Sequence, residues 1–321
     1  MRIAVFGAGG VGGYFGGRLA QAGEEVIFIA RGEHLHAIQQ HGLQVESPKG
    51  NFLIYPAQAT SEPVQVGVVD VVLVGVKAWQ VPQIATTMRP LIGESTIVVP
   101  LQNGVEAPAQ LAAVLGSKHV LGGLCRISAL IEAPGRIRHA GVEPYIAFGN
   151  LDGRPSPAAE QLRQAFVRAG VWVEIPADIQ AAMWEKFLFI APISGVGSVA
   201  RLPVGAVRSL PGSRWLLQAC MQEVYTTGRA RGIALTEDSL SRTMALVDGL
   251  PDNAIPSMQR DILDGKPSEL EYQNGAVVRM TREMGAQPEE RVPVNTFIYY
   301  SLLPQELHAR GELPARGKLP A

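Results

Sequence analysis

Six residues near the amino end constrain this chain more than any others. Gly7-Ala8-Gly9-Gly10-Val11-Gly12 fits G-x-G-x-x-G, follows the apolar run Arg2 to Phe6 directly, and opens a helix-like stretch that reaches Ala22. Gly23 then supplies a natural helix stop. Alone the pattern is common, but between a strand and a helix it acquires a mechanism. Gly7 would allow the tight turn, Gly9 would let backbone approach a pyrophosphate, and Gly12 would let the helix pack closely on the strand. The anion would rest on the unpaired N–H groups that every helix start exposes. Gly7, Ala8, Gly9, Gly10, Val11 and Gly12 are therefore the expected cofactor turn.

The end of the next β-branched run, Glu25 to Ala30, bears on which dinucleotide is held. A reader of a ribose 2′-hydroxyl would place Asp or Glu there. This chain has Ala30-Arg31-Gly32. An Arg fork holds a 2′-phosphate bidentately, whereas a carboxylate repels it. The expected cofactor is NADP(H), with Arg31 on the phosphate.

Further apolar runs at Val66 to Val76 and Ser95 to Pro100 alternate with helix-length segments. Unbroken runs of this kind fit strands buried on both faces of a parallel sheet, and the alternation reads as βαβ units. Arg136 to Ala147 and Val171 to Ile175 are candidate edge strands. After about Ala177 the strand signal fades. Asp178 to Ile190, Gly212 to Arg231, Asp238 to Asp248 and Ser268 to Met284 read as helices between Leu-Pro breakers. The expected fold class is α/β, with a Rossmann-type dinucleotide-binding domain over 1–177 and an all-helical substrate domain over 178–321. The Pro- and Gly-rich tail from about Pro304 is expected to fray.

Composition removes several function classes. With 28 Lys+Arg against 29 Asp+Glu, the net charge is −1, without the basic surplus a general nucleic-acid binder needs. The longest apolar stretch, Val64 to Val76, is interrupted by Gln65 and Asp70 and is too short to cross a bilayer. No signal-peptide layout opens the chain. Two cysteines, Cys125 and Cys220, make no disulfide framework. The expected setting is cytoplasmic. The six histidines form no metal-binding pair, and no G-x-S-x-G elbow supports a hydrolase. No metal is expected.

Lys186 lies in Met183-Trp184-Glu185-Lys186-Phe187-Leu188-Phe189-Ile190. An ammonium among so many apolar neighbours is costly unless it is paired or faces a cleft. Burial lowers its pKa and a carboxylate raises it, a balance that suits a general acid. The plain alternative is a lysine snorkelling from an amphipathic helix. Lys77 ends the third buried strand, and Asn103 sits in a Gln-Asn-Gly turn after the fourth, both at the carboxyl edge where open α/β sheets bind ligands. Ser268-Glu269-Leu270-Glu271 also fits a capping box, in which Glu271 would fold back on the helix start.

Gly7 to Gly12, Ala30-Arg31-Gly32, Val76-Lys77, Gln102-Asn103-Gly104, Trp184-Glu185-Lys186 and Ser268-Glu269 occur in the order and rough spacing of the ketopantoate reductase family, which this chain resembles over nearly its whole length. The resemblance implies reduction of 2-dehydropantoate to (R)-pantoate with NADPH, in pantothenate biosynthesis, in a cleft between a Rossmann and a helical domain. It implies Lys186 as the proton donor and Glu269, rather than Glu271, as the carboxylate that orients the substrate. It places Lys77 and Asn103 at the nicotinamide and substrate, and Ser257 on the substrate carboxylate. Where the family typically has two substrate-facing Asn residues, this chain has Ile190 and Ser194. Two further readings stay open: a reductase of a more apolar 2-oxo acid, and a non-catalytic NADP-binding regulator. The expected partner is a small 2-oxo acid, with no nucleic acid or membrane; a homodimer through the helical half is a base-rate expectation.

Overall fold

The computed structural model describes residues 1–313; the end of the expected tail, Pro314 to Ala321, lies outside the described residues. The chain forms two compact units. One is Met1–Gln102 with Glu106–Gln180, and the other is Asn103–Val105 with the chain from Ala181 onward.

The first unit opens with β1 (Arg2–Phe6), α1 (Gly10–Gln21), β2 (Glu25–Ile29) and α2 (Gly32–His41). Three short strands follow: β3 (Leu43–Glu46), β4 (Phe52–Ile54) and β5 (Gln58–Thr60). Next come α3 (Pro63–Val66), β6 (Val69–Val74), α4 (Val81–Ala85), β7 (Ile92–Pro100) and α5 (Ala107–Leu115). The unit closes with β8 (Gly122–Arg126), β9 (Ala129–Ala133), β10 (Arg136–His139), β11 (Tyr145–Gly149), α6 (Pro157–Arg168) and β12 (Trp172–Glu174).

Its main sheet runs β5-β2-β1-β6-β7, all parallel. Alternation along β1 sends Ile3 and Val5 into one buried cluster and Ala4 and Phe6 into the other, as a strand covered on both faces requires. Each large apolar side chain buried this way contributes roughly 1.5–3 kcal/mol. Phe6 pairs with both Ile29 and Val74, and Val74 with Pro100. The strand order reverses at β1, the switch point of such sheets. This register brings the glycine turn, Arg31 and Lys77 out along one carboxyl edge. Two smaller sheets, β4-β3-β10-β9 and β12-β11-β8, complete the unit. Of their strands, β3 and β4 are too short to stand out in the sequence, and β8 opens on two glycines.

The second unit is helical. It is built on α7 (Ile179–Ala200), followed by α8 (Val204–Ser209), α9 (Pro211–Ala230), α10 (Ser239–Asp248) and α11 (Ser257–Leu263). Then come α12 (Asn274–Glu283), α13 (Pro288–Arg291) and α14 (Pro293–Ala309). Every residue of α7 from Ala191 to Ser198 is buried. Trp184, Phe187 and Leu188 pack on Val224, Val277 and Met280, while Ile193 and Val196 pack on Leu217, Met221 and Met258.

Three expectations need correction here. The helix expected to end at Ile190 continues through Pro192 to Ala200. One missing N–H is outweighed by the apolar packing on both sides of the proline. The helix expected over 268–284 is broken at Gln273, with φ −113° and ψ −96°, into a tight turn at Leu270–Tyr272 and then α12. Pro304 to Ala309, expected to fray, continue α14, because Leu302 and Glu306 are buried and Gln305 donates to the Ile262 carbonyl at 2.5 Å.

Candidate active site

Each glycine of the first turn has its own geometry. Gly7 has φ +99°, and a Cβ there would lie 2.7 Å from Val76 Cγ1. A Cβ on Gly12 would lie 2.0 Å from the Gly7 carbonyl oxygen, so nothing larger fits where α1 crosses β1. A Cβ on Gly10 would meet the Ala129 carbonyl oxygen at 2.3 Å. Beside Gly9, by contrast, nothing lies within 4 Å. Ala8 is buried and Val11 half-buried. Gly9 caps α1 without a side chain, and the first turn of α1 carries no acid. The N–H groups of that helix start are thus left to an anion from outside, which fits the pyrophosphate of a dinucleotide.

Arg31 is the N-cap residue of α2, extended and exposed. Lys77 follows β6 half-buried, its Nζ 5.7 Å from the centre of the Trp79 ring. Its backbone N–H donates to Gln80 Oε1 at 3.1 Å. Gln102, which the sequence offered only as part of a turn, is buried. It donates from Nε2 to the carbonyls of Val74 and Val76 at 2.8 and 2.9 Å. It therefore holds the chain in place just before Lys77. No sequence signal separates this amide from a solvated one.

In the helical unit, Asn103 donates from Nδ2 to Glu269 Oε2 at 3.0 Å. Glu269 is 5% exposed. The capping box does not form. Ser268 instead gives its hydroxyl to Glu306 Oε2 at 2.5 Å and accepts from the Leu270 amide at 3.2 Å. Glu306 also accepts the Ser268 amide at 3.0 Å and Arg310 Nε at 2.7 Å. Glu271 is engaged elsewhere: it pairs with Arg279 and accepts the Tyr299 hydroxyl at 2.5 Å. Burial, and then the carboxylate it faces, push that phenol well above its ordinary range. Of the two carboxylates, Glu269 is the one held by a residue of the Gln-Asn-Gly turn.

Lys186, Ile190 and Ser194 follow one another at four-residue intervals along α7 and share a face. Lys186 is half-buried. Its neighbour Glu185 is exposed and bonded to Arg242 at 2.6 Å. Ile190 is half-buried and packs against both apolar clusters of the unit. Ser194 is fully buried, and its hydroxyl has no hydrogen-bond partner among the described residues. Ser257, half-buried, begins α11. Asn103, Lys186, Ser194, Ser257 and Glu269 thus belong to the helical unit, while the glycine turn, Arg31 and Lys77 belong to the first. Among the described residues no cluster of His, Cys, Asp or Glu could hold a metal, and no helix is long and apolar enough to cross a membrane.

Residues 3–153 match the family model described as ketopantoate reductase PanE/ApbA, and residues 178–306 match its C-terminal model. The chain belongs to the ketopantoate reductase family. As a ketopantoate reductase family member it is an oxidoreductase with a dinucleotide-binding domain. It is 30% identical to an uncharacterized oxidoreductase, YkpB, of Bacillus subtilis, over 94% of this chain and 98% of that protein. It is 31% identical to a 2-dehydropantoate 2-reductase of Archaeoglobus fulgidus, over 88% of this chain and 92% of that one. A crystal structure of a PanE/ApbA family ketopantoate reductase from Ralstonia eutropha superposes with a TM-score of 0.87 at 30% identity, covering 97% of this chain and 100% of that one.

Proposed function

We propose that this family member reduces 2-dehydropantoate to (R)-pantoate with NADPH, as a cytoplasmic enzyme of pantothenate biosynthesis. The observation that carries the reading is the bond from Asn103 to buried Glu269 in the unit that also presents Lys186. The glycine turn and the start of α1 would hold the pyrophosphate, Arg31 the 2′-phosphate, and Lys77 and Asn103 the nicotinamide end. When bound, the cofactor supplies a hydride to the keto carbon. As the carbonyl π pair moves onto oxygen, Lys186 gives that oxygen a proton from its ammonium and is later reprotonated by solvent. Asn103 donates to one oxygen of Glu269 and so orients the carboxylate, which would accept a substrate hydroxyl in a set direction. Ser257 takes the substrate carboxylate. Ser194 offers a buried hydroxyl to the substrate's own polar group.

The test is a steady-state assay of NADPH oxidation with 2-dehydropantoate. Turnover is expected in the parent and its collapse in Lys186→Ala, while NADPH binding persists. Robust turnover without Lys186 would refute the mechanism. A second reading, a more apolar 2-oxo acid, draws support from Ile190, whose side chain neither donates nor accepts. Comparing kcat/KM across branched, aromatic and hydroxylated 2-oxo acids separates the two. A protein that binds NADP but turns over none of these acids would instead be a regulator.

A further inference from the structure

His34 lies in the first turn of α2, three residues after Arg31, and both of its ring nitrogens are engaged. Nε2 is 2.8 Å from the carbonyl oxygen of Ala8, inside the glycine turn. The amide N–H of Gly135, in the turn between β9 and β10, donates to Nδ1 at 3.0 Å. An amide N–H can only donate, so Nδ1 accepts, and the ring hydrogen assigned to Nε2 is given to Ala8. The ring in this arrangement is neutral. A second proton would have to sit on Nδ1, facing the Gly135 N–H donor to donor.

The contact acts on the turn through a planar peptide. The Ala8 C=O and the Gly9 N–H belong to one trans unit and point in opposite directions. Holding the oxygen toward α2 therefore aims the Gly9 N–H away from α2, and the space beside the Gly9 Cα is open. We propose that neutral His34 is a positioning residue for the dinucleotide. It ties the turn that meets the pyrophosphate to the helix whose N-cap is Arg31, so that both phosphate-reading ends are set together. The inference rests on the dinucleotide reading above. Residues 7–13 of the turn carry no ionisable side chain. On the neighbouring elements the ionisable groups are Tyr14 and Arg18 of α1, Arg31 at the N-cap of α2, Glu33, His36 and His41 of α2 and, on the β9–β10 hairpin, Glu132, Arg136, Arg138 and His139. Glu132 pairs with Arg136 at 3.5 Å and with Arg138 at 3.3 Å. His34 is the side chain that bonds to the turn itself.

The experiment is calorimetric titration of the full chain with NADP+ from neutral to acid pH, beside thermal melts. His34→Phe fills the space without nitrogen and is expected to bind about 3- to 10-fold more weakly at neutral pH, the worth of a lost hydrogen bond. His34→Gln keeps a donor for Ala8 and cannot titrate; it is expected to bind within about threefold of the parent. Both proteins see the same ligand ionisation, so the parent's extra loss of affinity on acidification should be absent in His34→Gln. Binding by His34→Phe equal to the parent's, or a full parental pH slope in His34→Gln, would overturn the proposal. Where His34→Phe fails to fold, the pH comparison decides. A parent that binds no NADP+ at any pH refutes the dinucleotide reading itself, and this inference with it.

Discussion

Asn103 reaches Glu269 across 166 residues of chain, its Nδ2 donating to Oε2 at 3.0 Å. The contact joins the turn after β7 to the segment before α12, and it explains why an Asn-Gly pair at a sheet edge matters beyond its turn geometry. A Cβ on Gly104 would lie 2.6 Å from the Tyr272 carbonyl oxygen, so the same turn is pressed against the segment it serves. Asn103→Ala should lower kcat/KM by about 10- to 100-fold, the worth of a hydrogen bond to a charged group. The melting temperature should barely move, because Asn103 is only half-buried. A kcat/KM within error of the parent's would remove Asn103 from the site.

Glu269 and Glu271 should separate cleanly. Glu269→Gln keeps the side chain's shape but loses the charge, and should depress turnover with little change in stability. Glu271→Gln weakens a partly exposed ion pair with Arg279, so it should cost about 1 kcal/mol of stability or less and leave kcat near that of the parent. Urea unfolding and steady-state kinetics on both variants test this. The reverse pattern would exchange their roles.

Two glycines of the first turn make opposite predictions. Gly12→Ala places a methyl 2.0 Å from the Gly7 carbonyl and should destabilise the first unit by about 1–3 kcal/mol, with or without cofactor. Gly9→Ala meets no protein atom, so it should melt like the parent and bind NADPH at least about tenfold more weakly, by blocking backbone approach. Paired melting and binding curves decide. Normal NADPH binding by Gly9→Ala would displace the pyrophosphate from this turn.

Arg31→Ala should weaken NADPH relative to NADH by about tenfold or more, since one charge-assisted bidentate contact is lost. Titrating both nucleotides into both proteins measures the ratio. An unchanged ratio would mean that Arg31 is a solvated cap and that the 2′-phosphate, if read at all, is read elsewhere.

Ser194 carries a fully buried hydroxyl with no partner among the described residues. An orphaned buried polar group costs about 1–3 kcal/mol, so Ser194→Ala should leave the free protein as stable as the parent or more so. It should also lower kcat/KM for a hydroxylated 2-oxo acid more than for its deoxy analogue. An equal effect on the two acids would place Ser194 away from the substrate hydroxyl.

Local chemistry in the chain was enough for β1, β2, β6 and β7, the turn at Gly7 to Gly12 and the helical second half. Apolar runs and glycines act over a few residues, and their meaning survives without neighbours. Other features needed the folded molecule. Glu269 and Glu271 are chemically alike, and the folded molecule gives them different partners, Asn103 for one and Arg279 with Tyr299 for the other. Gln102, one residue of a turn motif, and His34, one of six histidines, meet carbonyls far along the chain, at Val74 and Val76 for the first and at Ala8 for the second. The expected helix end at Ile190 and the fraying expected from Pro304 both give way to buried packing, which carries α7 and α14 past Pro192 and Pro304. The difference lies in range: propensity and pattern are local, whereas burial and hydrogen-bond partners exist only once remote segments meet.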